Sequence, residues 1–274
     1  MRTTKPAALA RSVSLCLALC SALLFGTQAH AQVLIEDFDD DSIDPALWTA
    51  HVYGSGPQLA EVNGQLEIVI PATSSGADFG VKLSSNFLLR GDFEVQVDFR
   101  LIEWPYSNGV RLGLGTDQDG LLPHPGVERI SFGQSDYPWA PREAYLTDFP
   151  DGVHGITATD DAVGTLRLVR KGNWQTGYYH DPDGWVSIHT GPAPTTDVGI
   201  KIAAWSGYQF TQRDVTAAFD DLVVNRGVLV WPDPAWSACC FLGGWCLLGS
   251  EEACWGAEGR YMGDGAACEP DPCP

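Results

Sequence analysis

Hydrophobic and polar residues alternate with a period of two through most of the chain. The runs are Gln65-Leu66-Glu67-Ile68-Val69-Ile70, Asp92 through Leu101, Val110 through Leu114, Thr165 through Arg170, Val198 through Ile202, and Ala217 through Val224. Side chains of an extended strand point alternately to its two sides, so each run has one face for a core and one wetter face. Turn signals separate the runs: Asn63-Gly64, Arg90-Gly91-Asp92, Asp119-Gly120, Asp151-Gly152, Lys171-Gly172-Asn173 and Asp183-Gly184. Many short strands at this spacing predict one all-β domain, best fitted by an antiparallel jelly-roll β-sandwich. Asp44-Pro45-Ala46-Leu47-Trp48 predicts a short helical turn, with Asp44 as its cap and Pro45 at the first position.

The ends of the chain read differently. Arg2, Lys5 and Arg11 precede an apolar run, Val13 to Phe25, and Ala29-His30-Ala31 is a small-x-small cleavage site. Residues 1–31 are therefore expected to be a secretory signal peptide cleaved after Ala31, and the protein secreted or periplasmic. Lipidation at Cys20 is disfavoured by the bulk of Leu19 before it. No later stretch has the length and apolarity of a membrane span. At the other end, Trp231-Pro232-Asp233-Pro234 reads as a stiff linker, giving a sandwich over 32–230 and a small module over 231–274. The module holds Cys239, Cys240, Cys246, Cys254, Cys268 and Cys273, and no other cysteine follows the signal. An even number in an exported chain predicts disulfides. A bond between the neighbours Cys239 and Cys240 would close a strained ring, and zinc is disfavoured because the module has no histidine.

The formal charge of -19 becomes -22 once the three basic residues of the leader are removed. Such an acidic chain is a poor partner for nucleic acid or for anionic membranes, both of which need clustered Lys and Arg. It is compatible with neutral sugars and divalent cations.

The opening Glu36-Asp37-Phe38-Asp39 with Ile43 to Trp48, the strand Ala218 to Val224, and Gly164 to Asn173 ahead of Tyr178-Tyr179 and Gly184-Trp185 resemble bacterial concanavalin A-like lectin/glucanase domains. The resemblance spans about residues 33 to 228. It implies a sandwich whose first and last strands lie side by side, closing an otherwise open edge. The fold hosts lectins, glycan hydrolases, adhesion modules and passive domains, so it implies no single activity. The tail, through Ala238-Cys239-Cys240, Gly244-Trp245-Cys246, Glu252-Ala253-Cys254 and Cys268, resembles short cysteine modules at the ends of secreted bacterial proteins.

Glucanase members carry catalytic carboxylates as Glu-x-Asp-x-x-Glu on one strand, and this chain does not show that motif. Its nearest approach is Glu94, Gln96 and Asp98, expected to be the polar side of a half-buried strand. Aromatic loops give a stronger lead, because sugars stack their C–H faces on such rings. Trp104 and Tyr106 sit in one loop, Tyr137 and Trp139 in another followed by Tyr145, and Tyr178 lies near a hairpin. Arg111 and Arg129, on central strands, are expected to supply hydrogen bonds, while Trp48, Trp185 and Trp205 are expected to pack in the core. The histidines are expected at the surface.

Structural calcium is a further candidate, through Asp39 and Asp41 in an Asp-rich loop and Asp117 and Asp119 around a tight turn; such turns also form through Asp alone. Together these features predict a non-catalytic protein that binds a glycan or an extracellular surface component. A glycan-active hydrolase with an unfamiliar carboxylate pair, and a structural or adhesion module that binds protein, are the rival readings.

Overall fold

The computed structural model describes residues 33–117, 126–133, 140–152, 154–231, 236–241, 245–250, 254, 259–262 and 268. The segment expected to be a signal, with its expected cleavage site, lies outside them, as do Tyr137, Trp139, Asp119 and Cys273. Among the described residues no helix is long and apolar enough to cross a membrane.

The predicted alternation becomes two antiparallel layers. The first contains β2 (Trp48–Ser55), β6 (Arg111–Thr116), β7 (Gly126–Ser131), β8 (Glu143–Asp148), β9 (Ile156–Ala158) and β13 (Val198–Gly207). The second contains β1 (Val33–Glu36), β3 (Gln58–Val62), β4 (Gln65–Ile70), β10 (Val163–Lys171), β11 (Trp174–Asp181), β12 (Gly184–Pro192) and β14 (Val215–Val230). One long strand, β5 (Ser75–Glu103), serves both. Its residues 75–89 pair with β2 and β13, and its residues 93–103 pair with β10 and β14. The change of layer falls at Arg90-Gly91-Asp92, all exposed, where Gly91 takes a left-handed φ of 67°.

In the first layer the order is β2, β5, β13, β6, β7, β8, β9, and in the second β12, β11, β10, β5, β14, with β4, β3 and β1 beyond β14. The first and last strands of the sandwich do meet: Val33 pairs with Val224 and Leu34 with Val223. This is the antiparallel jelly-roll sandwich expected of a concanavalin A-like domain.

The core is built from alternate residues of both layers. Val81, Leu83, Leu112, Leu114, Val127 and Ile202 face Val95, Val97, Phe99, Leu166, Leu168 and Phe219. Burying each such side chain stabilises the fold by about 1.5–3 kcal/mol. At Gly177 the layers approach so closely that an added Cβ would stand 2.5 Å from Thr147 Cγ2. The turn at Asp44 forms as expected, with Leu47 and Trp48 donating to the Asp44 carbonyl and Ala46 to its side chain. Asn63 and Gly64, both left-handed, join β3 to β4 in a two-residue hairpin loop.

The cysteine-rich end forms its own small sheet of β15 (Trp236–Phe241), β16 (Trp245–Ser250) and β17 (Arg260–Tyr261). Disulfides join Cys239 to Cys254 and Cys246 to Cys268, and Cys240 is also disulfide-bonded. No bond links Cys239 to Cys240, as the ring argument required. Closing the 15-residue separation between Cys239 and Cys254 is worth about 3 kcal/mol in chain entropy.

Candidate functional site

The outward side of the first layer is where register gathers polar chemistry. Trp205 of β13 pairs with Arg111 of β6, which pairs with Ile130 of β7. One row along, Ala203, Gly113, Glu128, Leu146 and Ile156 lie across successive strands. In the next row lie Lys201, Gly115, Gly126 and Asp148. Their immediate sequence neighbours, Leu112, Leu114, Val127 and Ile202, point the other way into the core. Three glycines on this face leave room above the backbone for long charged side chains.

Those side chains are buried although they lie on the outward side. Glu128 and Lys201 are fully buried, and Lys82 and Asp148 nearly so. Arg111 holds the carboxylates together: its Nε stands 2.7 Å from Glu128 Oε2, and one terminal nitrogen lies 3.8 Å from Asp148 Oδ2. The first contact is a charge contact without an aligned hydrogen bond, and neither Glu128 oxygen has a hydrogen-bond partner among the described residues. Desolvation therefore outweighs the attraction of Arg111, and the Glu128 carboxyl is pushed up to about 7, with Asp148 adding to the rise. Asp148 also faces His154 Nδ1 at 3.2 Å. Beside them, Asp117 lies 3.5 Å from Lys82 Nζ and 3.9 Å from Lys201 Nζ.

A cavity of about 300 Å3 opens at this cluster. Arg111, Asp148, His154, Asp78, Trp205 and Tyr208 line it on the polar and aromatic side, and Ile130, Phe132, Leu146 and Ile156 on the apolar side. The Arg111 guanidinium stacks 5.1 Å from the centre of the Trp205 ring. Tyr208 is largely exposed, and the indole N–H of Trp205 is buried with no hydrogen-bond partner among the described residues. An apolar wall with a few convergent polar groups is the usual make-up of a small-molecule site, and this volume is at the low end of the range.

The residues expected from sequence divide among several places. Arg111 lies in the cavity. Trp104, Arg129 and Tyr145 are brought together, with Trp104 half-buried and the other two inside the protein. Trp104 Nε1 donates to Glu143 at 3.0 Å, Arg129 donates to Glu143 at 2.8 Å, and the Tyr145 hydroxyl donates to Asp161 at 2.9 Å. Arg129 is 2% exposed and Tyr145 0%. Tyr145 also stacks on Tyr179 with ring centres 4.3 Å apart, and burial raises its hydroxyl well above the usual tyrosine range. Neither Arg129 nor Tyr145 offers a face to a sugar, which corrects that expectation; they and Trp104 knit the sheet edge.

Tyr106 is exposed, with its carbonyl accepting from Arg213. Tyr178 lies on the second layer, 5.9 Å from the Arg167 guanidinium. Trp48 is in the core as expected, but Trp205 and Trp185 line outward surfaces instead.

The second layer's outward side carries Glu94, Gln96 and Asp98 on half-buried β5, as expected, around a groove of about 430 Å3. Here each of these three side chains has a polar partner, although Arg167 Nε is buried without a hydrogen bond among the described residues. Arg167 meets Glu94 at 2.5 Å and stacks on Trp185 at 4.6 Å, Thr165 donates to Asp98, and Asn225 donates to Gln96.

Of the expected calcium ligands, Asp39 and Asp41 are exposed in the loop after β1, where Asp40 accepts from Ser42 in a local turn. Asp117 is occupied by the two lysines. Among the described residues no three of His, Cys, Asp and Glu form a group able to hold a metal ion.

Glu128, Asp148 and Tyr208 carry no expectation from sequence, while Trp205 is expected in the core and His154 at the surface rather than together in one cavity. The available signal was the alternation Leu112-Gly113-Leu114-Gly115, whose glycines all fall on one face of a strand.

No protein-family model matches the chain, and no curated protein matches it. Solved structures do. A prokaryotic β-1,3-1,4-glucanase (lichenase) derived from a mouse hindgut metagenome is 15% identical, over 70% of this chain and 97% of its own, with a TM-score of 0.48. The exoplasmic/lumenal domain of VIP36, in a Ca2+/Man2-bound form, is 12% identical over 73% and 87%, with a TM-score of 0.47. The CBM2 module of the evolved Dit of Lactobacillus casei BL23 phage J-1 is 10% identical over 74% and 97%, with a TM-score of 0.49. Likenesses this distant carry no argument about activity, and the sandwich assignment stands on the strand pairings above.

Proposed function

We propose that the chain is an exported, non-catalytic carbohydrate- or surface-binding protein whose ligand sits in the cavity on the first layer. One observation carries this reading: the Trp205 and Tyr208 rings stand beside Arg111, Asp148 and His154 around about 300 Å3 of space with an apolar wall. A sugar ring needs this mixture, an aromatic or aliphatic surface for its C–H face and fixed donors and acceptors for its hydroxyls. The size suits one or two rings rather than a long polymer. Export after Ala31, with the sandwich over 32–230 and the cysteine module over 231–274, belongs to the same proposal; the disulfides fit an oxidising compartment.

The test is a glycan array probed with residues 32–274, run with and without chelator. Binding to a defined glycan is expected, lost in Trp205→Ala and kept in Tyr178→Phe. Silence across the array sinks the reading, and loss of signal with chelator would assign a structural calcium.

A second reading, glycan hydrolysis, draws support from Glu128 and Asp148, two carboxylates that meet the same guanidinium and whose surroundings differ. Full burial of Glu128 stands against it, because no substrate atom reaches that carboxyl in this conformation. Release of reducing ends by the parent chain but not by Glu128→Gln would turn the assignment to an enzyme.

A further inference from the structure

Among the described residues, Arg111 is the one arginine or lysine in the wall of the cavity, and it is shared between the cavity and a carboxyl group that the cavity does not reach. Glu128 lies behind it in the middle of β7, flanked by strands on both sides, with no exposed surface. When Glu128 is ionised, its charge has Arg111 as its one partner at contact distance among the described residues. When Glu128 is protonated, Arg111 keeps its stacking on Trp205 and, as its charge partner, only the longer contact to Asp148, and the guanidinium is left to answer whatever lies in the cavity.

We propose that Glu128 is a positioning residue that regulates the cavity: uptake of one proton by its carboxyl frees Arg111 to engage ligand, so binding strengthens on acidification. The inference rests on the carbohydrate reading of the same cavity for its consequence, but not for its mechanism.

The charges facing Glu128 from each neighbouring element fix the direction. Arg111 on β6 and Lys201 on β13 favour ionisation, while Asp148 on β8 opposes it. Lys82 on β5 and Asp117 after β6 pair near Lys201 and offset one another. His154, ahead of β9, acts on Asp148 from the cavity side. Burial decides among them and places the exchange near neutrality. A proton gained there changes the charge behind Arg111 by one, on a group that the ligand does not touch. The ligand this favours is one that presents acceptor oxygens to Arg111. An anionic sugar gains more from the change than a neutral one, and the carboxylates of Asp78 and Asp148 keep it excluded above neutrality.

The experiment needs no ligand. The Nε–H of Arg111 is followed by nitrogen-15 NMR on residues 32–274 from pH 5 to pH 9, alongside the Glu128 carboxyl carbon. In the parent chain both signals are expected to move with one midpoint within about a unit of 7. In Glu128→Gln the Arg111 signal should stay flat, and in His154→Gln the movement should persist.

A flat Arg111 signal in the parent chain overturns the proposal. So does a titration that survives in Glu128→Gln, or one abolished by His154→Gln. Should Glu128→Gln not fold, the carboxyl carbon of the parent chain decides alone. Running the glycan array at pH 6 and pH 8 separates the two readings. An array silent at both values, with Arg111 still titrating, removes the carbohydrate reading and leaves the proton exchange. Equal binding at both values removes the link between them.

Discussion

The outward faces of the two layers are written in the same alternating code and reach different states. On the second layer, Glu94, Gln96 and Asp98 are half-buried and each finds a partner across the strands: Arg167, Asn225 and Thr165. On the first layer, Glu128 and Lys201 are fully buried, and Glu128 has no aligned hydrogen bond among the described residues. The first arrangement is an ordinary sheet surface, in which cross-strand pairs supply small increments of stability. In the second, charge sits where water is excluded and each unmatched interaction matters more. The cavity beside Arg111 lies over the second kind of surface, and the groove beside Glu94, Gln96 and Asp98 lies over the first.

Breaking the first-layer cluster should have the largest effect. Arg111→Ala leaves the Glu128 charge buried without its partner, and such losses cost about 3–5 kcal/mol. The full cost is expected at pH 8, where Glu128 is ionised. At pH 5 the carboxyl holds a proton and the loss should fall to that of packing on Trp205 plus the contact to Asp148, about 1–3 kcal/mol. Urea unfolding at the two pH values measures both; an equal loss at both would mean that Glu128 does not change its charge between them.

Next in size is Glu128→Gln. The folded-state pKa of Glu128 is about 7, raised from the ordinary 4.5, so the folded protein holds this proton where the unfolded chain has released it. The resulting stability is fully present below about pH 4.5 and is lost as pH rises through about 7. The parent protein should therefore lose up to about 3 kcal/mol between pH 5 and pH 8 from this group. Gln cannot ionise, so the variant should lack that slope and be the more stable of the two at pH 8. Thermal unfolding over this pH range checks the sign; a variant less stable at pH 8 would show that the Arg111 contact outweighs the cost of burial.

Arg111 and Arg129 show how far the residues alone reach. Both sit in short central strands, and both read in isolation as candidate ligand donors. Register separates them. Arg111 is opposite Ile130, so Arg129 faces the other way, into the knot with Glu143. Alternation shows which residues of one strand share a side, and that is enough to place Glu94, Gln96 and Asp98 together, whereas the pairing of the first and last strands follows from the family resemblance. Alternation does not show which side of a layer will be covered. Nor does it show that Asp148 on β8 and Glu128 on β7 will both come to Arg111, because that depends on pairings between segments far apart in sequence. The expectation that Trp205 packs in the core fails for the same reason. The residues before it, Ile200 to Ala204, are mostly apolar, and only the pairing with Arg111 and Gly80 puts it on the outward side.

The smallest expected effect is the most direct test of the contrast between the faces. Arg167 meets Glu94 at 2.5 Å, a shorter contact than Arg111 makes with Glu128, and it also stacks on Trp185. By distance alone it should matter more. Both partners, however, keep about a fifth of their side-chain surface in solvent, 19% for Arg167 and 23% for Glu94, whereas Glu128 keeps none. Solvent screens the pair, and neither charge is stranded when the other is removed. Arg167→Gln should therefore cost only about 0.2–1 kcal/mol, and raising the salt from about 0.05 to about 0.5 M should shrink that difference. The loss in Arg111→Ala should not respond to salt in the same way. Equal salt sensitivity of the two variants would mean that the first-layer cluster is as open to water as the second, and the distinction between the faces would then lose its physical basis.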